Sequence, residues 1–143
     1  MATRRFLSGM APCVALFAVA CNNSGSAKRE AAALTDAVDR FSKVSGPAEA
    51  KAVDDVPCTD ERVCEAKRVC MEAIDPTARA LAIKDEVSAK LADIEAARLA
   101  VDAAGAQELP SKLDEASRLL REGHSKMHDC DRMLTDLKVT YGS

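Results

Sequence analysis

LPSKLDEASRLLREGHSKMHDCDRMLTDLKV, residues 109–139, carries the most regular hydrophobic pattern in this chain. Apolar or small residues recur in it at alternating steps of four and three, a spacing that keeps them on one side of a helix. The members of this stripe are Leu109, Leu113, Ala116, Leu120, Gly123, Met127, Cys130, Leu134 and Leu137. The pattern predicts a helix of about 40 Å, from about Pro110 or Ser111 to Val139, that packs lengthwise against another helix.

The partner of this helix is expected immediately upstream. Asp75-Pro76 is typical of an N-cap followed by the first helical residue, and it predicts a helix that runs to about Ala104. Gly105 ends that helix, and the short connection makes the two helices antiparallel neighbours. Gly123 on the stripe indicates a close approach of a partner backbone, and a locally weak position in the stripe is the alternative. The expected buried residues upstream are Ala80, Ile83, Val87, Leu91, Ile94, Ala97 and Val101.

Two shorter helices are expected before this hairpin. Residues 28–44 place an apolar face on a helix that Ser45-Gly46-Pro47 would end, and its members are Ala31, Leu34, Val38 and Phe41. Residues 48–57 are acidic and weakly patterned, which indicates a linker. Thr59 is the expected N-cap of a second helix that reaches about Ile74 and runs parallel to the last one. The sequence therefore predicts an all-α, antiparallel helical bundle built on a long helical hairpin.

The composition excludes several classes of function. The 143 residues include 20 basic and 23 acidic ones, with a net charge of −3 and no basic cluster, so nucleic acid is not an expected partner. Phe41 and Tyr141 are the only aromatic residues after position 21, which disfavours a sugar-binding cleft or a stacking platform. Alanine-rich, charged sequence has high helix propensity and suits close packing of helix on helix.

The four cysteines after position 57 are expected to form disulfides that stabilise the bundle. Cys64 and Cys70 are about 9 Å apart along a straight helix, too far for a bridge within it. Cys70 and Cys130 lie on apolar stripes at similar levels, which favours Cys70–Cys130 together with Cys58–Cys64. The pairing of Cys64 with Cys130 and of Cys58 with Cys70 is the alternative. Zinc binding is disfavoured because C-x5-C-x5-C lacks the short spacing of common zinc sites.

Few residues are candidates for chemistry. His124 and His128 lie one helical turn apart with Asp131 close by, so these three side chains are the candidate metal ligands. No third histidine accompanies them, and two histidines on a solvated helix face are the simpler interpretation. No nucleophile elbow, phosphate loop or dinucleotide motif occurs. We therefore expect neither an enzyme nor a bound cofactor.

The first 21 residues have the organisation of an export signal. Arg4 and Arg5 give a cationic start, residues 6–20 carry no charge, and Ala18-Val19-Ala20 places small residues before Cys21. The apolar stretch is short for a membrane-spanning helix, which needs about 20 apolar residues. Residues 1–20 are therefore expected to be a signal peptide. Cleavage before an unmodified Cys21, as in an ordinary secretory signal, is an alternative.

Ala18-Val19-Ala20-Cys21 resembles the lipobox of bacterial lipoproteins. The resemblance implies that the Cys21 thiol receives a diacylglycerol and becomes the new N-terminus, and that fatty acids such as palmitate anchor the chain. Cys13 would leave with the signal peptide, and lipidation of Cys21 would then leave Cys58, Cys64, Cys70 and Cys130, an even set that can pair completely. Asn22 is similar to outer-membrane sorting signals, so the outer membrane facing the periplasm is expected, with the inner membrane and the cell surface as alternatives.

These observations divide the chain into four parts. A signal peptide (1–20) precedes a flexible tether (21–27), an N-terminal helix with a linker (28–57) and a disulfide-stapled helical bundle (58–143). The expected function is that of a membrane-anchored periplasmic lipoprotein that acts through protein contacts, as a structural or accessory component of the envelope. Self-association and a separate protein partner both stay open. The alternative is a periplasmic lipoprotein that binds a small ligand or metal.

Overall fold

The computed structural model describes residues 20–142, with side chains from Ser24 onward, so residues 1–19 and the side chain of Cys21 lie outside it. The regular structure of the described residues is entirely helical. The elements are α1 (Ala20–Val44), α2 (Pro47–Asp54), α3 (Glu61–Glu95), α4 (Ala104–Gln107) and α5 (Leu109–Tyr141). None of the described helices combines the length and the apolar composition that crossing a membrane requires.

Helices α3 and α5 form a long antiparallel hairpin, as the sequence predicted. Contacts between the two helices run in opposite order along the chain, from Arg62 with Thr140, through Cys70 with Cys130, to Glu86 with Lys112. Each helix is about 50 Å long at 1.5 Å per residue. The all-α, disulfide-stabilised antiparallel bundle is thereby confirmed.

Pro76 lies inside α3, and the predicted helix start at Asp75-Pro76 is wrong. Proline lacks an N–H, so the Glu72 carbonyl loses its ordinary intrahelical donor, and a mid-helix proline costs about 3 kcal/mol. Burial of the neighbouring face offsets this cost, because Ile74, Pro76 and Ala78 all pack in the interior. The predicted second and third helices are therefore one helix. Its first half runs antiparallel to α5 and not parallel to it, as had been expected.

Helix α1 packs on the hairpin. Its predicted apolar face is buried, with Leu34 at 0% and Phe41 at 1% exposure, and the helix ends at Val44 as predicted. Ser45 stops the helix, because it has a positive φ of 53° and its hydroxyl donates to the Phe41 carbonyl. Burial of this face fixes α1 to the rest of the protein.

The segment expected to be a flexible tether belongs to α1 instead. Residues 22–27 are helical, and Ala27 is only 3% exposed because it continues the buried face formed by Ala31 and Leu34. The Ser26 hydroxyl donates to the Glu30 carboxylate 3.0 Å away, one turn along the helix. Small polar residues, which indicated a tether, are thus compatible with a helix when the apolar face of that helix packs on the rest of the protein.

The expected linker 48–57 is also wrong, because α2 occupies most of it. Pro47 follows Gly46 and takes the first turn, where its missing N–H needs no partner. Ala50 and Val53 are spaced by three and are both buried, and Val56 is buried just after the helix. Two core contacts in eight residues are too few to produce a recognisable period, which explains why sequence periodicity did not reveal this helix.

Helices α1 and α2 cover only one half of the hairpin. Glu30 of α1 contacts Thr59 at the start of α3, and Pro47 of α2 lines a groove with Ala78 and Ala82. Beyond that level the described structure consists of the two long helices and their connection. We call residues 83–120 the hairpin tip, and the end where Glu30, Asp60 and Tyr141 meet the foot.

The tip departs from the predicted upstream stripe. Val87 is buried, but Leu91 is 46% and Val101 74% exposed, and Ala97 is exposed too. Helix α3 ends at Glu95 and not near Ala104. Ala97 takes a left-handed conformation with φ of 53°, and the Arg98 N–H donates to the Asp93 carbonyl, as in a Schellman motif. Alanine is unusual in this position, so the sequence did not signal the stop.

Two further details of the helices differ from expectation. Asp60, and not Thr59, is the N-cap of α3, since its carboxylate accepts from the N–H groups of Arg62 and Val63. In α5, Leu119 is 1% exposed, whereas Leu120, assigned to the packing stripe, is 44% exposed. Leu113 of the same stripe is 46% exposed, whereas Leu109 is buried. The packing face of α5 is therefore turned away from Leu113 and Leu120.

Candidate functional site

Exposed leucines mark one side of the hairpin tip. Leu113, Leu120, Met127 and Leu134 follow one another at steps of seven on α5 and so lie on one stripe. Met127 and Leu134 belong to or pack against the core that includes residues of α1, whereas Leu113 is 46% and Leu120 44% exposed. The same stripe is thus core at one end and surface at the other.

Small residues in α5 determine which leucines are exposed. Gly123 lies so close to α3 that an added Cβ would be 2.7 Å from the Ala73 carbonyl oxygen and would overlap the Thr77 hydroxyl. The predicted close approach at Gly123 is therefore confirmed. With the helices in contact there, Leu119 enters a small cluster with Ala80 and Ala116. Leu120 is rotated by about 100° from Leu119 and points elsewhere.

Charged side chains flank the core of the tip. Lys112 of α5 and Lys90 of α3 lie 2.7 Å and 3.2 Å from the same Glu86 oxygen. The hydrogen bonds from Lys112 and then Lys90 lower the pKa of Glu86 below its usual value. Because Glu86 and its partners are partly solvated, such pairs contribute little stability. The pair formed by Lys112 and Glu86 connects α5 to α3 at the surface of the tip.

At the foot, a buried carboxylate joins α1 to the start of α3. Glu30 is 6% exposed and accepts from the Thr59 N–H and hydroxyl, both at 2.7 Å, from the Asp60 N–H at 3.3 Å and from Ser26. Burial acts to raise the pKa of Glu30, but these four hydrogen bonds outweigh burial, so the pKa is lowered. A fully hydrogen-bonded, ionised carboxylate of this kind is a structural connection.

The C-terminal end of α5 is tied to the same place. Tyr141 donates a hydrogen bond to Asp60, and the Arg62 guanidinium lies 3.5 Å from the Thr140 hydroxyl. Burial, and then the hydrogen bond to Asp60, raises the pKa of Tyr141 above its ordinary value of 10.0. All three of α1, α3 and α5 therefore meet at the foot.

The position of Cys21 on α1 has a geometric consequence. Cys21 precedes Glu30 by nine residues on one helix, about 13 Å at 1.5 Å per residue. The chain thus enters the bundle at the foot, and the tip lies at the opposite end of a hairpin of about 50 Å. The side chain of Cys21, the expected lipidation site, lies outside the described residues.

The four remaining cysteines form two disulfides in the favoured pairing. Cys58 bonds Cys64 with Cα atoms 5.1 Å apart, and Cys70 bonds Cys130 with Cα atoms 4.5 Å apart. The alternative pairing is therefore wrong. Cys70 and Cys130 are 0% exposed, while Cys58 and Cys64 are both half-buried. The bridge between α3 and α5 lies in the core, and the short one lies at the surface.

The candidate metal ligands do not converge with further donors. His124, His128 and Asp131 are exposed on α5. Within the part of the chain that the structure describes, no three histidine, cysteine or acidic side chains are grouped so that they could hold a metal ion. The positions of these three residues in the structure therefore give no support for a metal site beyond their spacing in the sequence.

A surface groove of about 820 Å³ lies between α3 and α5 beside the foot. Its lining is partly apolar and carries charges of both signs, and includes Arg62, Arg68, Met133, Asp136, Leu137 and Val139. Arg68 is held by Glu65 and Glu72, so its charge is largely matched within the protein. The groove has the size of a ligand site, but its mixture of positive and negative side chains does not favour one class of ligand.

Comparison of the chain with protein-family models, with curated proteins and with solved structures finds no match. The functional assignment therefore depends on the residues themselves. Sequence reasoning missed Glu30, although a signal was present. Glu30 lies among Ala27, Ala31 and Leu34 on the apolar face of α1, and a carboxylate there requires a buried partner.

Proposed function

We propose that this protein is a lipid-anchored component of the bacterial envelope that uses its hairpin tip to bind another protein. The lipobox-like sequence that ends at Cys21 supports the anchor, and Asn22 favours the outer membrane facing the periplasm. The foot would then lie near the lipid surface, with the tip directed away from it. No catalytic role is part of the proposal.

The observation that carries the proposal is the exposure of Leu113 and Leu120. Single exposed apolar residues are ordinary, but large apolar side chains in register along a helix can combine into a patch of the kind that marks a protein-binding surface. Farther along the same stripe, Leu134 is buried in the core cluster that also contains residues of α1. A partner that continued this cover with its own apolar helix face would bury the two leucines and complete the stripe.

Crosslinking in cells tests the contact. A photoreactive amino acid replaces Leu120, and a matched control places it at Ser117, which is also exposed and lies on α5. We expect a specific adduct from position 120 and little from position 117. Equal crosslinking from both positions, or none from either, would contradict a contact at the leucine stripe.

Sedimentation separates a second copy of the chain from a different partner. Self-association would make the protein dimerise at micromolar concentration, and Leu120→Lys would return it to a monomer. A protein that stays monomeric but still crosslinks at position 120 binds a different protein. Both results satisfy the proposal, and the adduct mass in the crosslinking experiment identifies which one holds.

The anchor is tested independently. Intact mass and N-terminal peptide analysis are expected to find an acylated Cys21 as the first residue, and membrane fractionation to place the protein with the outer membrane. Cys21→Ser should release the protein from membranes while the helical content stays unchanged. An unacylated Cys21 in a protein recovered from the soluble fraction would contradict the anchor.

A second candidate function rests on the groove beside the foot. Its volume of about 820 Å³ falls in the range of small-molecule sites. Native mass spectrometry of the protein purified from envelopes would reveal a retained ligand, and Val139→Arg should displace it, because Val139 lines the groove and is 82% exposed. A spectrum with the protein mass alone would remove this candidate.

A further inference from the structure

The two disulfides differ in their access to solvent. The sulfurs of Cys70 and Cys130 are inside the core that α1, α2, α3 and α5 share, and both residues are 0% exposed. Cys58 and Cys64 are half-buried, and Cys58 packs against that core from outside. An attacking thiol must approach along the sulfur–sulfur axis, so solvent access decides which bond can react without unfolding.

Grooves give an incoming thiol room to reach the short disulfide. Both Cys58 and Cys64 line a surface groove of about 470 Å³, and Cys64 also lines the larger groove of about 820 Å³. The smaller groove contains the cationic side chains of Lys67 and Arg68 together with three carboxylates, those of Asp54, Glu72 and Asp75. Two cations and three carboxylates leave a net charge of −1, so solvent access and space, and not a cationic surface, are what favour reaction at this bond.

The segment that carries Cys58 is held in place by contacts other than the disulfide. Thr59 donates two hydrogen bonds to Glu30, and the Lys67 ammonium donates to the carbonyls of Val56, at 3.0 Å, and Asp54. Cutting the bond would leave these contacts intact. The two thiols would stay beside each other, which favours their reoxidation.

From these observations we propose that Cys58–Cys64 is a reversible thiol-exchange site that accepts small thiols or the thiol of a dithiol protein while the fold stays intact. Cys70–Cys130 is the permanent structural bridge. This inference goes beyond the proposed anchoring and contact function and does not depend on it.

The exchange proceeds in two steps. A thiolate attacks the Cys64 sulfur, forms a mixed disulfide with it, and the electron pair of the broken bond leaves on the Cys58 sulfur, which takes up a proton. A second thiolate then attacks the sulfur of the first thiol, releases Cys64 as a thiolate that is protonated in turn, and completes the disulfide of the reductant. Two electrons pass from the two thiols to the cystine.

Alkylation under native conditions tests the difference in reactivity. The oxidised full chain, as purified from cells, is treated with graded glutathione or dithiothreitol, quenched with iodoacetamide and mapped by peptide mass spectrometry. Peptide mapping assigns each alkylation to one of the four bridged cysteines. We expect Cys58 and Cys64 to be alkylated at least about tenfold faster than Cys70 and Cys130, with unchanged helical circular dichroism. Equal rates, or reaction only in denaturant, would overturn the proposal.

A single substitution provides a second measurement. Cys58→Ser leaves Cys64 without its partner, and we expect Cys64 to take up one glutathione from glutathione disulfide under native conditions. The Cys70–Cys130 bridge, which this variant retains, should stay closed in the same sample. A Cys64 that forms no adduct in the folded variant would show that the groove does not admit a thiol, and the proposal would be wrong.

Discussion

The phenolic hydroxyl of Tyr141 donates a hydrogen bond of 2.8 Å to Oδ1 of Asp60. Oδ1 of Asp60 also caps the first turn of α3, so one carboxylate secures both the start of α3 and the end of α5. Tyr141 is the only tyrosine of the chain, and the chain contains no tryptophan. Its absorbance and fluorescence therefore report on the foot alone.

Titration of Tyr141 tests this contact. Burial and the Asp60 carboxylate raise the pKa of the phenol, so tyrosinate should form above pH 10.0 in the folded protein. Asp60→Asn keeps a capping oxygen but removes the charge, and the midpoint should move back toward 10.0. Tyrosinate absorbance follows both proteins. An unchanged midpoint would mean that Asp60 does not act on Tyr141.

Removal of the Tyr141 hydroxyl should destabilise the protein. Tyr141→Phe leaves the ring in place and removes a hydrogen bond to a charged acceptor, which corresponds to about 1–3 kcal/mol of unfolding free energy. Urea denaturation measures the loss. Thr140→Val is the matched control, because Thr140 is exposed and its contact with Arg62 is long, and it should change stability by less than about 0.5 kcal/mol.

Glu30 predicts an acid-dependent loss of stability. Its pKa is lowered from 4.5 in the folded state, so its contribution is complete above that value and is lost as the pH falls through the lower folded pKa. Glu30→Gln should lower the unfolding free energy by about 1–3 kcal/mol at neutral pH. The difference from the parent should shrink in acid. Stability measured from neutral pH into acid would reveal a constant gap if this interpretation were wrong.

A control for Glu30 is available on α3. Glu61 is exposed in the first turn, where a carboxylate interacts only with the helix dipole. Glu61→Gln should therefore cost about 0.5 kcal/mol or less. Similar losses from both substitutions would mean that burial of Glu30 adds nothing to the stability of the foot.

Gly123 should not tolerate a side chain. In Gly123→Ala the new methyl group would overlap Thr77 and lie 2.7 Å from the Ala73 carbonyl, so the helices must separate. The expected cost is about 1–3 kcal/mol, read from the midpoint of urea denaturation. Gly105→Ala is the control, since its nearest neighbour would be 3.9 Å away. A neutral Gly123→Ala would refute the close approach.

Neighbouring leucines should respond differently to truncation. Leu119 is 1% exposed and Leu120 44% exposed. Leu119→Ala should lower the unfolding free energy by about 2–4 kcal/mol, because it leaves a cavity in the core of the tip. Leu120→Ala should cost less than about 1 kcal/mol. If the order were reversed, the packing face of α5 would be the one that simple heptad spacing assigned.

Sequence reasoning succeeded where one local pattern was strong and found a matching surface. The faces of α1 and of the second half of α5 are examples, since Phe41 and Leu137 are buried as predicted. Both disulfides were expected from the spacing of the cysteines, and Cys70–Cys130 forms as favoured. The orientation argued for that pair was nevertheless wrong, because α3 does not break at Pro76. Cys70 lies on the buried face of its helix as predicted, and that prediction did not depend on the orientation of the helix.

The remaining errors have tertiary causes. Pro76 is tolerated because residues before and after it in α3, such as Ile74 and Ala78, are buried, and the local sequence does not show that burial. Leu120 was assigned to the core because it continues the heptad spacing. By sequence alone either Leu119 or Leu120 could face α3, and the close contact at Gly123 determines that Leu119 does. Helix α2 was missed because two buried residues do not make a period. Glu30 needed its distant partner Thr59 to be interpretable.

The covalent link between the two long helices lies well inside the covered half of the hairpin, at Cys70 and Cys130. At the other end, few buried side chains join α3 to α5, and the free energy of local opening is correspondingly small. The two long helices are thus joined covalently at two places, the Cys70–Cys130 bridge and the connection through α4, so any thermal opening would bow them apart only between these two points.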